Sequence, residues 1–385
     1  MKNILIITTA DMSLQSGNVV LINRRAEEMF KQFQIKTTCL ILENEGINVK
    51  HNAEGIEYIK LTSKHEIKNY ILTHNPQGVI FYGFRSYSYI SYVKKVINKA
   101  ECNTKILLDI QGALEEGVEY SKGFNWFANF VKFSIKKILL FKYLNLVDGA
   151  FVVSDELMEY CYSYLKKSKK SNFKIFKIRC GINKVINSQQ KKEWRKEIRN
   201  QWNINDDTVV LVFSGYRMPW QNIDKIIDLF KRYDKIMDNV YFAFFCNLDK
   251  EFEDQIKTNF KKDNYKTKFL SFDEYFKYLC ACDVGFLIRD NNITNKVAFP
   301  NKFSDYLNAG LTVAINNTLP EPYRILEQGN VKYINIEQDL NNHIEIMKER
   351  QANINQTYKK TEQLCKEELL YSSQIAKIEF EAFFK

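Results

Sequence analysis

The chain has 385 residues, 45% of them hydrophobic, 14% aromatic and 26% charged. That is too long for one small domain, comfortable for two, and too apolar for a disordered chain. Five Pro and 14 Gly exclude long flexible linkers, and a net charge of +10 points toward an anionic partner such as nucleic acid, acidic lipid or phosphorylated small molecules.

The N-terminus, MKNILIITTADMS, carries an apolar run from Ile4 to Ile7. It is too short for a secretory signal and reads as a buried first strand. No uncharged apolar run reaches membrane-spanning length. Eight scattered cysteines form no CxxC pair and have no His at zinc spacing, which fits a reducing cytoplasm.

Short apolar runs bounded by turn residues then recur: Asn3–Thr9, Thr37–Leu42, Ile56–Leu61, Gly78–Phe84, Lys105–Gln111, Gly149–Ser154 and Phe173–Arg179. Leu21–Gln32 and Tyr87–Asn98 between them have helical period. Runs apolar at nearly every position fit strands covered on both faces, as in a parallel sheet. The rhythm pauses over the basic stretch Ser188–Trp202 and restarts through Thr208–Ser214, Val240–Asn247, Thr267–Phe272, Val284–Arg289, Leu311–Asn316 and Lys332–Ile336. The expected fold is therefore α/β, with two Rossmann-like doubly wound domains and a cleft between them. The expected divisions are 1–185 as the N-terminal domain, 186–206 as a linker region and 207–350 as the C-terminal domain. A helical segment, 351–385, is expected to pack back on the first domain.

Two segments of the second domain carry chemistry. The first, FSGYRMPWQNID, has Gly215 at a strand exit, where backbone can approach a ligand, and Arg217 after it. Ile223, Ile226, Ile227 and Phe230 continue as the apolar stripe of a helix. The second, LIRDNNITNKVAFPNKFSDYLNAGLTV, places Arg289 at a strand end. A short helix then carries Lys302 in its first turn, with Asn301 as its expected cap and Gly310 at its close. Such a helix start offers N–H groups and a positive dipole end to a diphosphate. Asp305 is a carboxylate suited to ribose hydroxyls.

This pair of segments resembles the donor-binding half of retaining family 4 glycosyltransferases of the GT-B fold, whose bacterial polysaccharide-assembly members show SG-x-x-x-PWQGID and R-x-x-x-x-N-x-x-x-x-P-x-K-x-x-EYL-x-x-GLPV patterns. In the first domain, Asp148–Ser154, Ile178–Asn183 and Leu108-Asp109-Ile110-Gln111-Gly112 with Glu115 and Glu116 resemble that family more loosely. The resemblance implies that Arg217, Arg289 and Lys302 neutralise the leaving diphosphate and that Asp305 holds the ribose. Backbone near Pro300–Phe303, Asn301 included, and Gly215 would contact the donor. Gly17, Gln111 and Glu115 would line the substrate side of the first domain.

The chain departs from the pattern at several positions. The first Glu of the family's E-x7-E pair falls on Val297, a common Lys falls on Gln221, the following Gly is Asn222, and the Arg of D-x-RG is Gln111. The implied activity is transfer of a sugar from a nucleotide-diphosphate sugar to a glycan or polyprenyl-linked acceptor, with retention, in capsule, exopolysaccharide or O-antigen assembly. Neither a cofactor nor an obligatory metal is expected. A non-catalytic GT-B-like partner subunit and a nucleotide-sugar epimerase are the alternatives.

Other features carry less. His51, His65, His74 and His343 have no convergent partners, Cys280 and Cys282 read as core, and Asp206-Asp207 reads as a turn. Lys166–Lys170 reads as a solvated loop without the aromatic platform of a nucleic-acid site. Phe124–Val147 has two readings: a core helix leading into the next strand, or a surface helix that dips Trp126, Phe127 and Phe130 into an anionic membrane face. Its lysines 132, 136, 137 and 142 exclude a spanning helix. The expected location is the cytoplasm, at or near the inner membrane face.

Overall fold

The computed structural model describes residues 2–10, 17–42, 54–60, 63–378 and 383. The chain divides into two compact units, Met1–Asn183 with Leu370–Lys385, and Lys184–Leu369.

The first unit holds a seven-stranded sheet: β1 (Asn3–Thr8), β2 (Lys36–Ile41), β3 (Ile56–Lys60), β4 (Gly78–Tyr82), β5 (Lys105–Asp109), β6 (Gly149–Val152) and β7 (Lys174–Lys177). The order is β3-β2-β1-β4-β5-β6-β7, with every pairing parallel. Central β4 is buried throughout, whereas edge strand β3 exposes Glu57 and Lys60. Unbroken apolar runs therefore mark the middle of the sheet and mixed ones its rim. The unit is closed by residues far along the chain. Tyr371 donates its N–H to the Ile182 carbonyl at 2.9 Å, and Gln374 accepts from the Arg179 N–H at 2.7 Å.

In the second unit the strands are β8 (Val209–Ser214), β9 (Val240–Phe245), β10 (Tyr265–Thr267), β11 (Val284–Leu287), β12 (Thr312–Ile315) and β13 (Ile334–Asn335). They pair in parallel in the order β10-β9-β8-β11-β12-β13. The strand expected at Thr267–Phe272 lies earlier, because Phe272 opens the helix Phe272–Leu279. Helix Ile223–Ile236 buries Ile226, Ile227, Phe230 and Tyr233 on one side of the sheet. Phe230 meets Phe286 edge-on at 4.9 Å and stacks on Phe242 at 5.2 Å. Burial of each such ring stabilises the unit by about 2–3 kcal/mol.

The expected linker at 186–206 is instead a packed helix of this unit. Ser188–Trp202 buries Arg195, Ile198 and Arg199, and Asn187 caps it by accepting the Gln190 N–H at 2.8 Å. Its arginines reach buried Asp283, at 2.9 Å from Arg195 and 2.5 Å from Arg199, and Arg350 joins them from helix Leu340–Ala352. Asp283 also accepts the Val210 N–H at 2.8 Å. Burial alone would raise this carboxyl, but Arg195, Arg350 and Arg199 hold it well below the ordinary carboxylate range. Residues 351–369 likewise belong to the second unit, and the chain rejoins the first only at Leu370.

Phe124–Leu144 is a 21-residue helix of the first unit. Leu140, Tyr143 and Leu144 are buried, but Trp126, Phe127, Phe130, Ile135, Ile138 and Phe141 are exposed, so it is not a core helix. Among the described residues no helix is long and apolar enough to cross a membrane.

Candidate functional site

Neighbouring strands β8 and β11 carry the two sequence segments, and both segments leave the sheet at its carboxyl edge. β8 ends at Ser214, and Gly215 turns the chain with φ +90° while its N–H donates to the Phe245 carbonyl at 2.7 Å. Beyond β11, Arg289 is fixed through its backbone by Asn316. Its N–H donates to Asn316 Oδ1 at 3.1 Å, and Asn316 Nδ2 donates to its carbonyl at 2.6 Å. The Arg289 side chain is buried, with Nη1 donating to the Ile288 carbonyl at 3.2 Å.

The helix Asn301–Asn308 then presents Lys302. Its ammonium lies 4.3 Å from the Phe213 ring centroid and donates to Gln221 Oε1 at 2.9 Å. Gly215 makes room for it, since a Cβ there would stand 2.7 Å from Lys302 Cε. Burial, and then the neighbouring positive charge of Arg289, hold the Lys302 ammonium well below the ordinary lysine range. Buried Arg289 and part-buried Lys302 thus stand close enough to repel at one sheet edge. Asp305, buried on the next helical turn, offsets them only weakly. An arrangement of this kind gains most from an anion, whose charge relieves the repulsion.

The site differs from its sequence expectation in several details. Arg217 ion-pairs with Asp249, and its guanidinium stacks over Phe252 at 4.5 Å, although it still flanks Cys246 together with Lys302. Asn301 is not the cap of its helix. Pro300 occupies that position, with no side-chain hydrogen bond, and Asn301 is the first helical residue. Pro can hold the entry because its fixed φ suits the start of a helix and the chain there needs no donor. Gly310 does follow the last turn, with φ +79°. Asn222 adopts φ +50°, a conformation that suits the Gly of the related pattern. Val297 is buried, at the C-cap of the short helix Ile293–Lys296.

In the first unit Gly17 opens the helix Gly17–Phe33 rather than lying in a loop, and residues 11–16 before it fall outside the described residues. Gln111 donates to Asp109, and Glu115 accepts from the Tyr160 hydroxyl at 2.9 Å. Sequence reasoning missed Arg25, which reaches Asp109 Oδ2 at 2.9 Å and the Ile178 carbonyl at 2.6 Å. Arg25 thus sets a buried guanidinium against Asp109 from the helix Gly17–Phe33. The only sequence signal was a charged residue inside an otherwise helical apolar pattern.

His343 is structural. Its Nε2 lies 2.8 Å from the Asn335 carbonyl, so it donates there, and Nδ1 accepts from Tyr233 at 2.8 Å. His74 stacks on Tyr70, and His51 lies outside the described residues. Cys280 and Cys282 are buried in the core.

No protein-family model matches the chain, and no curated protein matches it in sequence. Solved structures do match it in shape. A variant of TarM from S. aureus, in complex with fondaparinux, α-GlcNAc-glycerol and UDP, has a TM-score of 0.68 at 9% identity, covering 100% of both chains. A glycosyltransferase from Rickettsia africae has a TM-score of 0.67 at 10% identity, covering 99% of this chain and 97% of its own. The catalytic domain of starch synthase IV from Arabidopsis thaliana, bound to ADP and acarbose, has 0.64 at 9% identity, covering 100% and 98%. The two parallel Rossmann-like sheets are those of the GT-B glycosyltransferase fold.

Proposed function

We propose that the protein is a glycosyltransferase that takes a sugar from a nucleotide-diphosphate donor held in the second unit. The observation that carries this reading is the Arg289–Lys302 pair, one buried and one part-buried cation at the carboxyl edge of a parallel sheet. Ligands bind at that edge in open α/β sheets. The TarM and starch synthase structures hold UDP and ADP respectively, which supports a nucleotide diphosphate as the anion here.

Cleavage of the bond between the anomeric carbon and the diphosphate builds positive charge on the sugar and negative charge on the leaving oxygens. Arg289 and Lys302, already in place, stabilise the second charge without reorganising. Diphosphate charge also favours the protonated form of Lys302. Asp305 accepts from the ribose hydroxyls. Arg217 assists once a ligand draws it from Asp249. We further assign retention of anomeric configuration, a glycan or polyprenyl-linked acceptor bound by the first unit, and a place in surface-polysaccharide assembly. These follow from the resemblance of the two segments.

The test is sugar transfer by the purified chain with a donor panel. Arg289→Ala and Lys302→Ala should each cut turnover about 100-fold or more, the scale of losing one charge stabiliser. Near wild-type rates in both would overturn the site. One observation favours a second reading, a binding subunit without activity of its own: Val297 puts a buried apolar side chain where the related pattern has an acid. Donor binding without turnover, rescued by a partner transferase, would establish that reading instead.

A further inference from the structure

More than half of the exposed large apolar side chains in the described residues lie on the single helix Phe124–Leu144. Phe127, Phe130, Val131, Ile138 and Phe141 recur at i, i+3, i+4, i+11 and i+14, which is one side of the helix at 3.6 residues per turn, with Ser134 the one polar position among them. The stripe is opposite the turn that buries Leu140, Tyr143 and Leu144. Phe127 is 60% and Ile138 70% exposed, and Trp126 stacks on Phe130 at 5.3 Å in the open. An apolar face this extended is unfavourable in water and marks an interaction surface.

The charge around it names the partner. Between Tyr120 and Val147 the chain has no Asp or Glu. Lys137 borders the stripe on one side and Lys142 and Lys132 on the other, by helical register. Lys136, in contrast, faces Phe84 and Glu116. The structure adds a second basic segment that sequence distance concealed. Lys166 donates its N–H to Asn145 Oδ1 at 2.9 Å, and its ammonium lies 6.0 Å from the Phe141 ring centroid. Lys166, which precedes the short helix Lys167–Lys170 rather than a loop, is thereby fixed at the end of the apolar stripe.

We infer that this face binds the surface of an anionic lipid bilayer, with the helix lying in the interface plane. Phe127, Phe130, Ile138 and Phe141 enter the acyl boundary, Trp126 sits at headgroup depth, and the lysines meet the lipid phosphates. Apolar contact and Coulomb attraction supply two signals, as stable peripheral binding requires. The inference does not depend on the activity assigned above, because it concerns a surface of the first unit alone.

The experiment is sedimentation of the full chain with sucrose-loaded vesicles of phosphatidylcholine alone and with about one-third phosphatidylglycerol. The wild type should pellet with the anionic vesicles, much less with the neutral ones, and lose binding as salt rises. Each lysine removed near the surface should weaken partitioning about fivefold, so Lys166→Gln with Lys167→Gln gives roughly 25-fold. Phe127→Ser with Ile138→Ser should abolish binding. Circular dichroism and melting temperature show that each variant folds. Brominated lipid should quench Trp126 fluorescence, and Trp126→Phe should remove that quenching while leaving sedimentation largely intact. Equal binding to neutral and anionic vesicles, or none to either, would overturn the inference. So would a concentration-dependent dimer abolished by Phe127→Ser with Ile138→Ser, which would give the face to a second copy.

Discussion

Two cationic clusters stand in the second unit, and they answer their charge differently. Around Asp283 three guanidiniums share one carboxylate, and several of their other N–H groups find carbonyls. Arg199 alone donates to Ala281, Asn205 and Thr208 at 2.8–3.0 Å, and Arg350 donates to Gly310 at 3.0 Å. At the sheet edge, Lys302 has Gln221 as its polar partner and Arg289 as a repelling neighbour. The first cluster is built around a buried carboxylate of the chain itself, so it serves the fold. The second sets two cations side by side, an arrangement that an arriving anion relieves, and holding groups in place this way preorganises a binding site. Burial alone does not distinguish the two; the answering charge does.

The comparison predicts opposite responses to mutation. The largest effect is on the structural cluster. Asp283→Ala leaves three buried guanidiniums without their anion and should lower unfolding free energy by about 3–5 kcal/mol, read by urea denaturation. A loss below about 1 kcal/mol would show that the carbonyls alone satisfy the arginines. Next comes Lys302→Met, which keeps the apolar stem and removes the ammonium. It should abolish donor binding yet leave stability unchanged or raise it by about 1 kcal/mol, because a site residue under strain is relieved. A destabilised Lys302→Met would mean that Lys302 belongs with the structural arginines.

A smaller effect comes from Gly215→Ala. Its Cβ meets Lys302 Cε and its φ of +90° strains any L side chain, so the ammonium shifts and donor affinity should fall about tenfold or more. Unchanged affinity would mean that the lysine can move without cost. The smallest is the pH dependence. An unfolded Lys302 takes its proton below about pH 10.4, whereas the folded one resists protonation to lower pH. In that window the unfolded state binds more protons, so this residue's contribution makes stability rise with pH. The difference between wild type and Lys302→Met should therefore shrink as pH rises toward 10. Asp283, whose folded value is also depressed, likewise makes stability rise with pH, but in an acidic window. Its contribution is complete above the unfolded value near 3.9 and is lost only as strong acid protonates the folded carboxylate.

What the sequence made legible follows from range. Strands of a parallel sheet announce themselves locally, because both faces are covered and the apolar run is unbroken. β8 and β11, with Arg289 and Lys302 at their exits, were accessible on that basis. Partners far apart in sequence were not. Arg199 and Asp283 lie 84 positions apart, as do Arg25 and Asp109, so Ser188–Trp202 read as a solvated linker and Arg25 drew no attention. Arg217 shows the converse limit. Its closeness to Gly215 in sequence suggested the same site, but the side chain turns to Asp249, which also caps the helix Lys250–Asn259. The exposure of Phe124–Leu144 was open in sequence, since a core helix and a surface helix share its composition; the neighbours that pack on it decide.

The central claim is that Arg289 and Lys302 hold a nucleotide diphosphate. The most direct measurement is thermal unfolding of wild type and Lys302→Met with UDP-, GDP-, ADP- and CDP-sugars. One nucleotide class should stabilise the wild type by about 2.7 kcal/mol at 100 times its dissociation constant, and should leave Lys302→Met unshifted. No shift with any donor, or an equal shift in both proteins, would contradict the account.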